Sequence, residues 1–249
     1  MPRGFAAAKK VGDNSNKSFG FQPRPKGITY FSLKDGQSAV VRFVQMAEEI
    51  DWARKWRLPP SKGFPYGEYV NAIDQNEDGT PDPGYAANLK SGFRAYPVLI
   101  WRNAPVYAKD AKGQFIKDTN GAKQITGYAD QIALWECSFA VYQALCQKDE
   151  KYRGLTSRDI EITRQGGGTD TKYVIEPADL DAGPQPITDA DKALISKDMI
   201  DTAPFVKIPT FDELAAYING GVAPAQPQTF QQQAASNEQA GDAGNPFLG

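Results

Sequence analysis

Short apolar runs alternate with clusters of turn-forming residues along most of the chain, and the apolar positions repeat mainly at the two-residue period of a strand. Residues Ile28 to Tyr30 and Ser38 to Val44 predict two strands, with Lys34-Asp35-Gly36 as turn chemistry between them. Arg42 is the one charge in the second run, and it faces outward or into a groove. Arg94 to Trp101 and Tyr128 to Trp135 predict two more strands, and the segment between them, with Gly113 and Asn120-Gly121, reads as hairpin turns. Asp159 to Arg164 alternates cleanly, and Gly166-Gly167-Gly168 turns the chain into Thr171 to Ile175, a late β-hairpin with a flexible tip.

Helical spacing is confined to a few segments. Ser138 to Lys148 places Phe139, Val141, Tyr142 and Leu145 on one face, with Ser138 as a cap. Thr188 with Asp191 resembles a capping box, and Thr210 with Glu213 completes one ahead of Phe211 to Asn219. That last helix presents Phe211, Leu214 and Ile218 on one face and stops at Gly220-Gly221.

The two ends have no period. Residues 1–27 are rich in Gly, Pro, Lys, Ser and Asn and read as a mobile basic arm. Residues 221–249, rich in Gln, Ala, Pro and Gly, read as a disordered tail with an Asn245-Pro246-Phe247-Leu248 tip. Residues 28–220 then form one domain, mainly β with α additions. A small, partly open barrel of OB type, with a late hairpin and short C-terminal helices, fits this pattern. An SH3-like barrel or a sandwich fits it nearly as well.

Composition narrows the chemistry. The 249 residues are 41% hydrophobic, ample for a core. There is no histidine, which excludes a Ser-His-Asp triad, a Cys-His nucleophile and a His-ligated metal. Cys137 and Cys146 are too few for a disulfide scaffold or a four-cysteine zinc site and read as buried reduced thiols. No apolar run is long enough to cross a membrane, and the N-terminus lacks the apolar segment of a secretory signal, so a soluble protein of a reducing compartment is expected. The net charge of −2 hides an asymmetry. Residues 178–249 carry ten acidic and three basic side chains, a net of −7, which leaves +5 for residues 1–177. A basic front and an acidic back suggest a surface for a polyanion.

The segment from Trp52 to Tyr69 gives that suggestion residues. Trp52, Trp56, Tyr66 and Tyr69 are interleaved with Arg54, Lys55, Arg57 and Lys62. Flat rings stack on exposed bases, and Lys or Arg neutralises phosphates, so this mixture suits a single nucleic-acid strand. The other reading is that the tryptophans are core, as Trp101 and Trp135 are expected to be. The late hairpin adds Arg158, Arg164, Lys172 and Tyr173, and the strands add Arg42 and Arg94.

Three blocks carry a family resemblance. Phe31 to Phe43 (FSLKDGQSAVVRF), Tyr96 to Trp101, and Arg158 to Arg164 followed by the glycines and Asp170 to Tyr173 together resemble the single-stranded DNA-binding, helix-destabilising proteins of tailed bacteriophages. The similarity covers roughly residues 28–177, with the blocks in the same order. It implies an OB fold and sequence-independent binding to single-stranded DNA in replication, recombination and repair, in the cytoplasm of a bacterial host. It also implies a basic arm that supports cooperative binding, and a C-terminal tail whose Pro246, Phe247 and Leu248 serve phage or host replication and recombination proteins. Members of the family often hold zinc between the two halves of the barrel. Here the matching positions, Ala72, Asp82 and Tyr85, carry no sulfur, so the zinc site reads as lost and no cofactor is expected.

The same loop places Asp74, Asn76, Asp78 and Asp82 at the spacing of calcium ligands, with Gly79 at the turn. Its twelfth position is Tyr85 rather than a bidentate Glu, which favours a polar loop over a calcium site. A structural or calcium-dependent interaction module is therefore the alternative function. An enzyme is not expected: no pair of carboxylates is singled out by spacing, and the glycine triplet lacks the Lys-Ser/Thr of a phosphate loop.

Overall fold

A computed structural model describes residues 27–59, 69–73, 79–111, 114–167, 170–179, 181 and 183–218. Eight strands form two antiparallel sheets among them: β1 (Ser38–Phe43), β2 (Trp52–Arg57), β3 (Tyr69–Asn71), β4 (Lys90–Ala95), β5 (Val98–Tyr107), β6 (Ile125–Leu134), β7 (Ile160–Gln165) and β8 (Lys172–Pro177). The larger sheet has the order β6-β5-β1-β7-β8, and the smaller β3-β2-β4. The helices are α1 (Pro83–Ala86), α2 (Phe139–Tyr152), α3 (Asp189–Asp198) and α4 (Phe211–Ile218). None of the described helices is long and apolar enough to cross a membrane.

The period-two pattern places the main core. Val41, Phe43, Leu99, Ile160, Ile162 and Ile175 point from the larger sheet onto Phe139, Tyr142 and Leu145 of α2, with Trp52 and Phe93 closing the cluster from the smaller sheet. The other face of β5 and β6 carries Val98, Ile100, Ile132 and Leu134, which pack with Tyr96 and Val206 beneath Leu194 and Ile195 of α3. A third cluster joins the smaller sheet to α4 through Trp56, Leu58, Val70, Ala72, Ile73 and Leu214.

Several expectations hold. β1, the late hairpin β7–β8 and three helices lie where the pattern placed them. Thr188 and Asp191 form a reciprocal capping box, and Thr210 and Glu213 exchange the corresponding bonds at 2.8 and 3.2 Å. Ser138 stands at the N-cap of α2 but makes no side-chain cap bond. That helix outruns its expected length and ends at Arg153, whose φ is 57°.

Other expectations change. Ile28 to Tyr30 forms a single parallel bridge, Tyr30 to Leu134, rather than a strand. Arg94 to Trp101 divides between β4 and β5, because Pro97 has no N–H to give to a ladder. The aromatic-basic segment, where Pro59, Pro60 and Pro65 argue against a long helix and the pattern singles out no element, contains β2. Ala95 at the end of β4 forms an isolated bridge with Cys137, just past the end of β6, and no closed barrel forms among the described residues. The basic arm, apart from Gly27, and the C-terminal tail with its tip lie outside the described residues.

Candidate nucleic-acid interface

Alternation in β2 sorts the interleaved residues onto two faces. Trp52, Arg54 and Trp56 share one, and Ala53, Lys55 and Arg57 share the other. Register then gathers more of the second set. Arg57 is opposite Tyr69 and Lys90, Lys55 is opposite Asn71 and Gly92, and Ala53 is opposite Arg94. Lys55, Arg57, Tyr69, Lys90 and Arg94 therefore occupy one face of the smaller sheet.

On that face Lys90 is exposed and Arg57 half-buried. The Arg94 guanidinium lies 5.6 Å from the Tyr69 ring centroid and pairs with Glu136 at 3.1 Å. Burial pushes the Tyr69 phenol up, while Arg94 and Arg57 pull it down. Lys55 is only 3% exposed, and its ammonium lies 5.3 Å from the Tyr96 ring centroid. Burial lowers its pKa to about 8, with Glu136 opposing the shift and Arg94 adding to it. Lys55 and the buried Tyr69 therefore shape the field of the face without touching a ligand on it; Arg57, Lys90 and the edge of Arg94 are its accessible cations.

The opposite face of β2 corrects the stacking assignment. Trp52 is buried and stacked on Phe93 at 5.4 Å. Trp56 is 2% exposed and meets Tyr85 edge-on at 4.9 Å. Neither ring offers a face to a base. Arg54 is held inside as well: its guanidinium sits 4.8 Å from the Trp56 ring and 5.0 Å from the Tyr85 ring, and it donates to the Tyr85 hydroxyl and the Ile73 carbonyl.

Arg42 is also structural. It is 3% exposed, and its Nε donates to Asp159 at 2.6 Å. Asp159 is shared with Arg102, which also pairs with Asp130 and with Asp191 at the head of α3. The Arg102 hydrogen bond holds the Asp191 carboxyl down at about 2. Sequence reasoning missed this network, because its members are far apart in the chain and each looks like ordinary surface charge.

In the late hairpin, Arg164 and Tyr173 are cross-strand partners. Both are half-buried: Arg164 donates to the Leu33 carbonyl at 2.6 Å, and Tyr173 packs edge-on against Trp135 at 5.2 Å. Arg158 lies 5.2 Å from the Tyr152 ring, and Lys172 is exposed. Lys62 and Tyr66 lie outside the described residues, as do Pro246, Phe247 and Leu248.

Asp82, the last of the oxygen ligands considered for calcium, is tied up by backbone hydrogen bonds. Asp82 is fully buried, and its carboxylate accepts the Ile73 and Gly84 N–H groups, each at 2.7 Å, at the start of α1. It is unavailable as a calcium ligand; Asp74, Asn76 and Asp78 lie outside the described residues. Zinc does not fit at the position matching the family's ligands either: Ala72 is buried among apolar side chains, and no group of three Cys, Asp or Glu side chains among the described residues is arranged to hold a metal ion. Both cysteines are free, and burial pushes the Cys146 thiol up to about 11.

No protein-family model matches the chain, and no curated protein matches it.

Proposed function

We propose that the chain is a sequence-independent single-stranded DNA-binding protein of a tailed bacteriophage. In this reading it works in replication, recombination and repair in the host cytoplasm and carries out no chemical step of its own. The observation that carries the reading is the convergence of Arg57, Lys90, Arg94, Tyr69 and the buried Lys55 on one face of β2–β3–β4. Such a face follows a phosphate chain without reading bases.

Topology supports it. With β2–β4 set aside, the larger sheet runs third, second, first, fourth, fifth along the chain, and α2 joins the third strand to the fourth. That is the order of a five-stranded OB-type barrel left open between its third and fifth strands. The smaller sheet is then an insertion between the first two strands, stabilised by the Trp56–Leu214 cluster where the phage proteins often use zinc. The tail tip, Pro246 to Leu248, would serve partner proteins.

The test is anisotropy of a labelled oligo-dT titrated with wild type and with an Arg57→Glu, Lys90→Glu double variant. The double variant is expected to bind at least about tenfold more weakly on any sequence. Unchanged affinity would remove this face from the site.

A further inference from the structure

The outer halves of β5 and β6 leave the body of the protein. A bulge between Trp101 and Ala104 opens the departure, with Asn103 at φ 49° and its N–H held by Asp130 at 2.9 Å. Beyond it, every described residue from Val106 to Thr126 is exposed or half-buried. Of the ten exposed large hydrophobic residues among those described, five lie on this wing: Val106, Phe115, Ile116, Ile125 and Tyr128. Such a concentration marks a binding surface.

The wing ends in an ordered knob. Ala108 donates to Gln124, Gln124 to Ile116 and Ile116 to Ala108, each at 2.9 Å, so three segments bond in a ring. Asp110 and Asp118 are committed to the turns: Asp110 accepts the Gln114 N–H at 2.8 Å, and Asp118 accepts the Asn120 and Ala122 N–H groups at 2.9 and 2.8 Å. Lys109, Lys117 and Lys123 have no ion pair among the described residues. Lys117 and Lys123 are bridged directly across the strands, an arrangement that repels. The Lys123 ammonium lies 3.9 Å from the Phe115 ring centroid and 5.2 Å from that of Tyr107, and the two rings meet edge-on at 5.8 Å.

We propose that this wing is a second contact for single-stranded nucleic acid, separate from the β2–β3–β4 face. Tyr107, Phe115 and Tyr128 stack on bases, and Lys109, Lys117 and Lys123 take phosphates. The inference rests on the single-strand reading above. Exposed cation–π contacts are weak, so each ring can exchange its ammonium for a base while the ammonium moves to a phosphate. A phosphate between Lys117 and Lys123 also relieves their repulsion. An apolar protein partner suits the wing less well, because covering the rings would desolvate the lysines parked on them.

The full-length chain is titrated with oligo-dT of increasing length, comparing wild type with Phe115→Ala, Lys123→Ala and, independently, Tyr128→Ala, whose ring is 62% exposed. Circular dichroism checks that each variant is folded. The expected result is an affinity loss of about tenfold on long oligomers with little change on the shortest oligomer wild type binds. Unchanged affinity at every length would overturn the proposal, as would equal losses at every length. A change in sedimentation of the DNA-free protein with DNA binding intact would also overturn it, making the wing a contact between copies. If wild type binds no strand of any length, the function reading itself fails; if wild type binds and the wing variants match it, only the wing proposal fails.

Discussion

Trp56 offers the sharpest test of how the aromatic-basic segment is used. Its indole is 2% exposed, lies within the cluster of Leu58, Val70, Ala72, Ile73 and Leu214, and covers α1 so closely that a Cβ on Gly84 would fall 2.3 Å from the ring. Replacing a buried tryptophan by alanine removes its transfer free energy and leaves a cavity, about 3–5 kcal/mol together. Against a total stability of about 5–15 kcal/mol, that is a large fraction. For a chain of this size it corresponds to a fall in Tm of about 6–20 °C. Thermal and urea unfolding of Trp56→Ala, followed by circular dichroism, measures it. DNA affinity is read at low temperature by anisotropy of a labelled oligomer, since the burial of Trp52, Trp56 and Trp135 makes tryptophan emission a poor reporter of stacking. The expected outcome is a strongly destabilised protein whose folded fraction binds within a few-fold of wild type. A loss below about 1 kcal/mol together with abolished binding would place Trp56 on the DNA surface and refute its assignment to the core.

Three further outcomes follow from the same structure. Asp191 is 3% exposed, and its pKa falls from 3.8 to about 2 through Arg102, so the unfolded chain binds more protons in that window. This contributes about 2 kcal/mol that is fully present above pH 4 and lost as pH falls toward 2; urea midpoints of wild type and Arg102→Ala should converge there, and parallel pH curves would contradict the pairing. Gly84→Ala drives a methyl into the Trp56 ring and should destabilise by about 1–3 kcal/mol, measured by the shift in urea midpoint, whereas a neutral effect would mean the ring is free to move. Dialysis against EDTA should leave Tm unchanged, because apolar packing and the Asp82 hydrogen bonds hold the lobe; a fall in Tm restored by zinc or calcium would show a metal there.

What could be read from the sequence, and what could not, follows from how each feature is encoded. The late hairpin and the capping boxes are local: alternation in Ile160–Gln165 and the Thr-x-x-acid spacing state their own geometry. β2 was missed because polarity there does not report the face. Trp52, Arg54 and Trp56 all point inward, with the Arg54 charge absorbed by two rings and a carbonyl, so the strand shows no apolar-polar alternation. The gathering of Arg57, Lys90 and Arg94 depends on pairing between strands far apart in the chain, which spacing cannot reveal. The wing was read as turns alone, since Tyr107, Phe115 and Lys123 meet only through the three-way bonding of its tip.

The most direct measurement of the proposed function is a salt titration of full-length protein on oligo-dT and on duplex of equal length. Single-strand binding through phosphates predicts preference for oligo-dT, with log K falling linearly in log salt by about 0.7 for each phosphate neutralised. The Arg57→Glu, Lys90→Glu variant should show a shallower slope, by about 1.4 if each side chain neutralises one phosphate. Absence of binding at low salt, or equal affinity for strand and duplex, would contradict the function proposed here.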